Sequence, residues 1–278
     1  MTVVARTAPV LDIDGPSTSL PDLCRGVWQA RELISTLARR EFFARYRRAT
    51  LGVVWAIVLP LLQAMVLGIV FTHVARLSLP VNPFVFVFSG MAAWSFFSTA
   101  LGAASTSVVD NSQLASKIYF PRLTLPLVSV ASAAYVAVVN TIIVLVAAFA
   151  VGVDPSWRML YLIPGLALVL LITAAAATLL AGLHVYFRDV RYLVQATLLL
   201  AFYLTPVFYP LELAPRALRR AVEVNPLTGV IELYRAGTVG ADHHWGVSVL
   251  VSLVWLVGLA AGALWVHCRF DRVFADLL

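Results

Sequence analysis

Lysine is almost missing from this chain. Lys117 is the only one in 278 residues, and Ser116 precedes it where a phosphate-cradling G-x-x-x-x-G-K-[ST] loop needs glycine, so the chain has no such loop with which to hydrolyse nucleotide by itself. Charge of either sign is scarce, at 12% of residues against about a quarter in soluble domains. Six runs carry no Asp, Glu, Lys or Arg at all: 51–75, 84–109, 127–153, 159–187, 192–211 and 243–268. The 25 residues from Leu51 to Ala75 would rise about 37 Å as a helix, enough for a hydrocarbon core of about 30 Å with some tilt. With a hydrophobic fraction of 61% and a mean hydropathy of +0.91, the expected fold is an all-α polytopic membrane protein of six spanning helices.

Other absences narrow the chemistry. Cys24 and Cys268 are the only cysteines; neither has a neighbouring zinc-ligand set, and no role is assigned to them. There is no H-E-x-x-H, no G-x-S-x-G and no carboxylate pair at a membrane edge with a nearby histidine, so an intramembrane enzyme is poorly supported. Ion-coupled transport commonly places an ionisable group in mid-membrane, and the six runs offer no Asp, Glu, Lys or Arg. Asp242, His243 and His244 are sequence neighbours that do not converge as ligands without further partners, so no metal is expected. The first 24 residues hold three Asp and no continuous apolar stretch, unlike a secretory signal.

What the chain has is arginine at the edges of its apolar runs. Arg6, Arg25, Arg31, Arg39, Arg40, Arg45, Arg47 and Arg48 precede the first span, Lys117 and Arg122 follow the second, Arg188 and Arg191 the fourth, and Arg269 and Arg272 the sixth. Those fourteen share one side, against six on the other (Arg76, Arg158, Arg216, Arg219, Arg220 and Arg235). The positive-inside rule then puts both termini in the cytoplasm, and membrane rather than nucleic acid accounts for the net charge of +6.

The expected organisation is a disordered cytoplasmic tail over 1–26, an amphipathic interface helix over 27–48, and a transmembrane domain over 49–278 with spans near 51–75, 84–109, 127–150, 160–185, 192–210 and 245–268. On the 27–48 helix Val27, Ala30, Leu33, Ile34, Leu37 and Ala38 share one side, and Glu41 can pair with Arg45 at i,i+4. That helix reads either as a topological anchor or as a grip on an anionic head or a partner subunit. Asp110, Asn111 and Ser112 are helix-start residues for a short cytoplasmic helix ending before Pro121. On the outer side, Asn225 as N-cap, Pro226 at N1 and Gly237 just past the end predict a helix of about three turns, too brief to span. Such short helices could dip back into the membrane beside a protein-lined cavity.

Polar groups within the spans, Gln63, Asn140, Gln195 and Tyr203, are expected to turn inward, and Gly258 with Gly262 in the sixth to serve packing inside one subunit. Aromatic rings can stack on sugar faces without holding them, which makes Trp94, Phe96, Phe97, Tyr203, Phe208 and Tyr209 candidate pore residues; an interfacial belt is the alternative reading.

Four ordered segments carry a family resemblance: RYRRATLGVVWAIVLPLLQ (Arg45 to Gln63), SKIYFPRLTLPL (Ser116 to Leu127), FRDVRYLVQ with LTPVFYP (Phe187 to Pro210), and NPLTGVIELYRAG (Asn225 to Gly237). Together they resemble the permease subunits of ABC-2 type polysaccharide exporters, the Wzm and TarG group that exports O-antigen, teichoic acid or galactan. The resemblance implies a homodimer in the bacterial inner membrane, assembled with two copies of a separate ATPase that holds the ATP and magnesium, with no cofactor in this chain. It implies ATPase contacts at Lys117, Tyr119, Phe120 and Arg122, extended here to Arg188 and Arg191, and re-entrant gate helices between Pro206 and Gly237. Its substrate class is a polyprenyl-diphosphate-linked glycan, for whose phosphates Arg39, Arg40, Arg45, Arg47 and Arg48 are the candidates. The bias to arginine suggests a GC-rich actinobacterium and hence galactan as the cargo. The alternatives are an ABC-2 lipid or drug exporter and, from another class, a membrane-embedded glycosyltransferase or scaffold.

Overall fold

A computed structural model describes residues 20–70, 82–112, 122–214, 216–240 and 245–270. Every regular element among them is helical: α1 (Leu20–Gln29), α2 (Arg31–Tyr46), α3 (Trp55–Ile69), α4 (Pro83–Ala104), α5 (Ser107–Asp110), α6 (Thr124–Ala150), α7 (Leu162–Tyr186), α8 (Val190–Leu204), α9 (Arg216–Glu223), α10 (Thr228–Thr238) and α11 (Trp245–Phe270), with 3₁₀ turns at Gly52–Val54, Trp157–Tyr161 and Leu211–Leu213. Five helical stretches are long and apolar enough to cross a membrane: Gly52–Ile69, Pro83–Ala104, Thr124–Ala150, Trp157–Tyr186 and Gly246–Cys268.

The stretch expected to span over 192–210 is shorter than its composition suggests. α8 has 15 residues and ends at Leu204, where Thr205 turns extended (φ −96°, ψ 133°) ahead of Pro206, so the helix reaches about 22 Å. The chain then runs irregularly to Pro210. This early stop shapes the candidate site below.

The bundle is organised around α4, whose first half is buried on every side, Val85 through Trp94 without interruption. A helix apolar all round belongs in the middle, and α4 packs against α3, α6, α7 and α10. Its start is set locally: Asn82 Oδ1 accepts from the Phe84 N–H at 3.0 Å, with Pro83 in the first turn. By contrast α3 and α11 leave most of their apolar surface uncovered, as expected where lipid or another chain is the neighbour. α11 lies along α7, and Gly262 faces Leu179, which an added Cβ would meet in ordinary contact at 3.5 Å, whereas Gly258 meets open space. Half of the expected small-residue pair therefore packs within the subunit.

Three boundaries differ from the sequence reading. Residues 20–26, read as tail, are helical, and the single helix over 27–48 is broken at Ala30 (φ −81°, ψ 2°). Asp110 closes the short helix α5, its Oδ2 accepting from Thr106 Oγ1 at 2.7 Å while Asn111 Nδ2 donates to the Ser107 carbonyl at 2.8 Å; Ser112 is helical again, and the rest of the short helix expected before Pro121 lies outside the described residues. Gly237 lies inside α10, and Gly240 instead takes the left-handed conformation after it (φ +66°). Asn225 does organise the start of α10, accepting from the Leu227 N–H at 2.9 Å while its Nδ2 donates to Thr205 Oγ1 at 2.8 Å.

Candidate functional site: an apolar cleft lined by arginine and aromatic rings

α2 leans on α6 rather than lying free. Ile34, Leu37, Ala38, Glu41, Phe42 and Tyr46 form its covered stripe, which continues the predicted apolar side. Glu41 is bound twice, accepting from Arg45 Nη2 at 3.2 Å and from Ser129 Oγ of α6 at 3.1 Å, while the Phe42 ring lies 5.5 Å from Tyr135. These contacts fix the end of α2, and Arg45 with it, beside the first turn of α3.

From that point a cleft of about 860 Å³ runs along α3 between α4, α6 and α8. Arg45 and Tyr46 line it beside Trp55; Leu59, Gln63 and Val66 follow along α3, and Trp94 of α4 and Phe202 of α8 form part of the facing wall. Most of the wall is apolar. Ser95 and Ser98 spend their hydroxyls on the Ala92 and Ser95 carbonyls, both at 3.3 Å, while the buried Asn140 of α6 keeps Oδ1 without a partner. Such a cleft would favour an amphipathic guest with an anionic head at Arg45.

Of the five arginines proposed for an anion, the structure brings only Arg45 to this wall. Arg39, Arg40, Arg47 and Arg48 are exposed, Arg39 lying 5.9 Å from the Phe43 ring of its own helix. The candidate pore aromatics also divide. Trp94 and Phe96 line the cleft, Phe97 faces a smaller apolar pocket of about 440 Å³ between α4, α8 and the link from α9 to α10, and Tyr203 points outward at 62% exposure. Trp94 meets Phe202 at 5.5 Å, Phe202 meets Phe208 at 5.5 Å, and Phe208 meets Tyr209 at 5.2 Å, so these rings form one cluster that reaches the cleft wall through Trp94 and Phe202. Phe202 was missed by the sequence reading as a site residue, although it sits one turn before the helix-breaking Thr205-Pro206 step.

Among the residues expected to meet an ATPase, Arg122 is half-buried just before α6, Arg188 is exposed in the short link between α7 and α8, and Arg191 is exposed in the first turn of α8. Lys117, Tyr119 and Phe120 lie outside the described residues, as do Asp242, His243 and His244. Among the described residues no group of three His, Cys, Asp or Glu side chains could hold a metal ion.

From the sequence Arg235 counts only as one of six cations on the outer side. It is buried, 1% exposed, in an α10 that is buried along its whole length. Its Nη2 donates to the carbonyls of Pro206 at 2.6 Å and Val207 at 3.0 Å, its Nη1 donates to that of Tyr209 at 3.2 Å, and Glu232 lies 3.6 Å away. The guanidinium also covers the Phe86 ring at 3.8 Å. The available signal was Glu232 and Arg235 at i,i+3 within an otherwise apolar helix.

Residues 32–239 match the family described as ABC-2 type transporter. The O-antigen export system permease protein RfbA of Myxococcus xanthus is 35% identical over 217 residues, covering 77% of this chain and 83% of that protein. An RfbA permease of Klebsiella pneumoniae is 26% identical over 254 residues, covering 89% and 95% of the two chains.

Proposed function

Because this chain belongs to the ABC-2 type transporter family, we propose that it is the membrane subunit of an ATP-driven exporter that moves a polyprenyl-diphosphate-linked polysaccharide from the cytoplasmic to the outer side of a bacterial inner membrane. The relatives named as O-antigen export permeases support polysaccharide as the cargo class. Galactan is the specific cargo put forward, on composition alone, with an O-antigen-like glycan or a teichoic acid as the neighbouring choices.

The observation that carries this reading is that one cleft is lined both by Arg45 and by the aromatic rings of Trp94 and Phe202. A diphosphate head needs donors at the membrane surface, and arginine can bind its oxygens two at a time. A sugar chain moving past Trp94 and Phe202 can stack on ring faces without being held by charge. At about 860 Å³ one cleft suits a small molecule or a few sugar units, so a polymer needs a passage shared with a second copy. The faces of α3 and α8 that stay open beside the cleft, with Leu62, Val66, Leu199 and Leu200 exposed, are the surfaces for that copy. The driving force comes from two copies of an ATPase bound on the cytoplasmic side at Lys117, Tyr119, Phe120, Arg122, Arg188 and Arg191.

A second reading has its own support: the cleft wall is mostly aliphatic and aromatic, which would also suit a plain lipid or drug. ATP hydrolysis by the purified complex separates the two. Stimulation by lipid-linked glycan, and not by the glycan-free lipid, supports polysaccharide export; the opposite pattern supports a lipid exporter.

A further inference from the structure

The stretch from Thr205 to Pro210 poses a backbone problem. It follows the early end of α8, it is neither helix nor strand, and Thr205 through Phe208 are buried. Buried carbonyls without secondary structure need donors from elsewhere. Two of the six residues are prolines, which supply no N–H of their own. One side chain meets the need: the planar guanidinium of Arg235 reaches the carbonyls of Pro206, Val207 and Tyr209 together. Lysine, a single point donor, does not span three carbonyls with a planar fork.

The opposite side of the stretch is closed by α4. A Cβ at Gly90 would collide with the Val207 carbonyl oxygen, so the absence of a side chain there lets this irregular backbone sit against the helix. Phe86, one turn earlier, supplies the ring beneath the guanidinium. The broken end of α8 is thus clamped between a glycine on α4 and an arginine on α10. Phe208 lies within that clamped stretch and packs on Phe202, a ring of the cleft wall.

We propose that Arg235 is a positioning residue for export: through three main-chain carbonyls it holds Phe208 against Phe202, a ring of the cleft wall, and that wall opens when those bonds are given up. This rests on the reading of the cleft as the export route. The latch itself can be tested without that reading, because it concerns where residues 205–210 are held.

The reporter is a single cysteine at Leu211→Cys, a half-buried position two residues beyond Tyr209, in a full-length chain carrying Cys24→Ser and Cys268→Ser. The chain is assembled with its ATPase in nanodiscs, and labelling by a membrane-impermeant maleimide is timed in the absence of nucleotide. Arg235→Met keeps the length and removes the donors; a labelling rate about tenfold faster is expected, since losing even one charge-assisted bond shifts an opening equilibrium by about that factor. Arg235→Lys should fall between the two. If the Met variant does not assemble, Arg235→Lys and Phe86→Leu carry the same measurement, the second removing the supporting ring while leaving every donor. Labelling within twofold of the parent in the assembled variants overturns the latch. Glycan export measured on the parent complex tests the route separately, so its failure would leave the labelling result standing.

Discussion

Tyr234 of α10 and Thr141 of α6 meet hydroxyl to hydroxyl at 2.8 Å. Thr141 Oγ1 already donates to the Ala137 carbonyl at 2.8 Å, so the phenol is the donor and the threonine the acceptor. This bond ties α10 to α6, and Tyr234 is 1% exposed.

Tyr234→Phe is therefore expected to lower the stability of the purified chain by about 0.5–1.5 kcal/mol, the usual net worth of one such bond and toward its low end inside membrane bundles. Thr141→Val should cost at least as much, because it leaves the buried phenol without its acceptor. Thermal unfolding in detergent checks both. A double variant matching the sum of the two single losses would show that the hydroxyls do not interact.

Gly90→Ala is expected to be far more disruptive than an exposed substitution such as Gly246→Ala. The added Cβ would meet the Val207 carbonyl oxygen and Cα, both backbone atoms, whereas nothing lies near Gly246. A cost of about 1–3 kcal/mol is expected from such overpacking. Equal thermal stabilities for the two variants would contradict the close approach of the broken α8 end to α4.

Arg45 and Arg48 are three residues apart, yet only Arg45 lines the cleft. Arg45→Gln should weaken loading of a polyprenyl-diphosphate glycan about tenfold, the worth of one charge-assisted contact, and Arg48→Gln less than twofold. Binding measured with detergent-solubilised complex gives the comparison. Parallel losses would return both arginines to a role in topology alone.

Tyr119→Ala with Phe120→Ala should leave insertion and assembly intact while uncoupling ATP hydrolysis from export. Hydrolysis is read as phosphate release and export as outer-side glycan. Unchanged export would remove the coupling assignment from this segment.

The membrane character was legible because it is written in one dimension: runs without charge are contiguous, and edge arginines need no tertiary contact to be recognised. The covered stripe of α2 was equally readable, since a 100° periodicity survives whatever it packs on. The early end of α8 was not. Its run stays uncharged to Leu211, and the Thr205-Pro206 step changes backbone shape without changing hydropathy. Arg235 was hidden for a related reason, because a charge count treats every arginine in a short outer segment as solvated. Its partners are carbonyls of Pro206, Val207 and Tyr209, groups that carry no sequence identity. The division of Arg45 from its neighbours likewise depends on the register of α2 against α6, fixed by Glu41 and Ser129.

The most direct test of the account is translocation itself. Proteoliposomes containing this chain and its ATPase are loaded on the ATP-accessible face with labelled polyprenyl-diphosphate glycan, and the fraction on the opposite face is followed with time. The account predicts transfer that needs both subunits and hydrolysable ATP, and that falls when Arg45 is replaced by Gln. Transfer that proceeds without the ATPase subunit, or no transfer by the assembled complex with ATP, would contradict it.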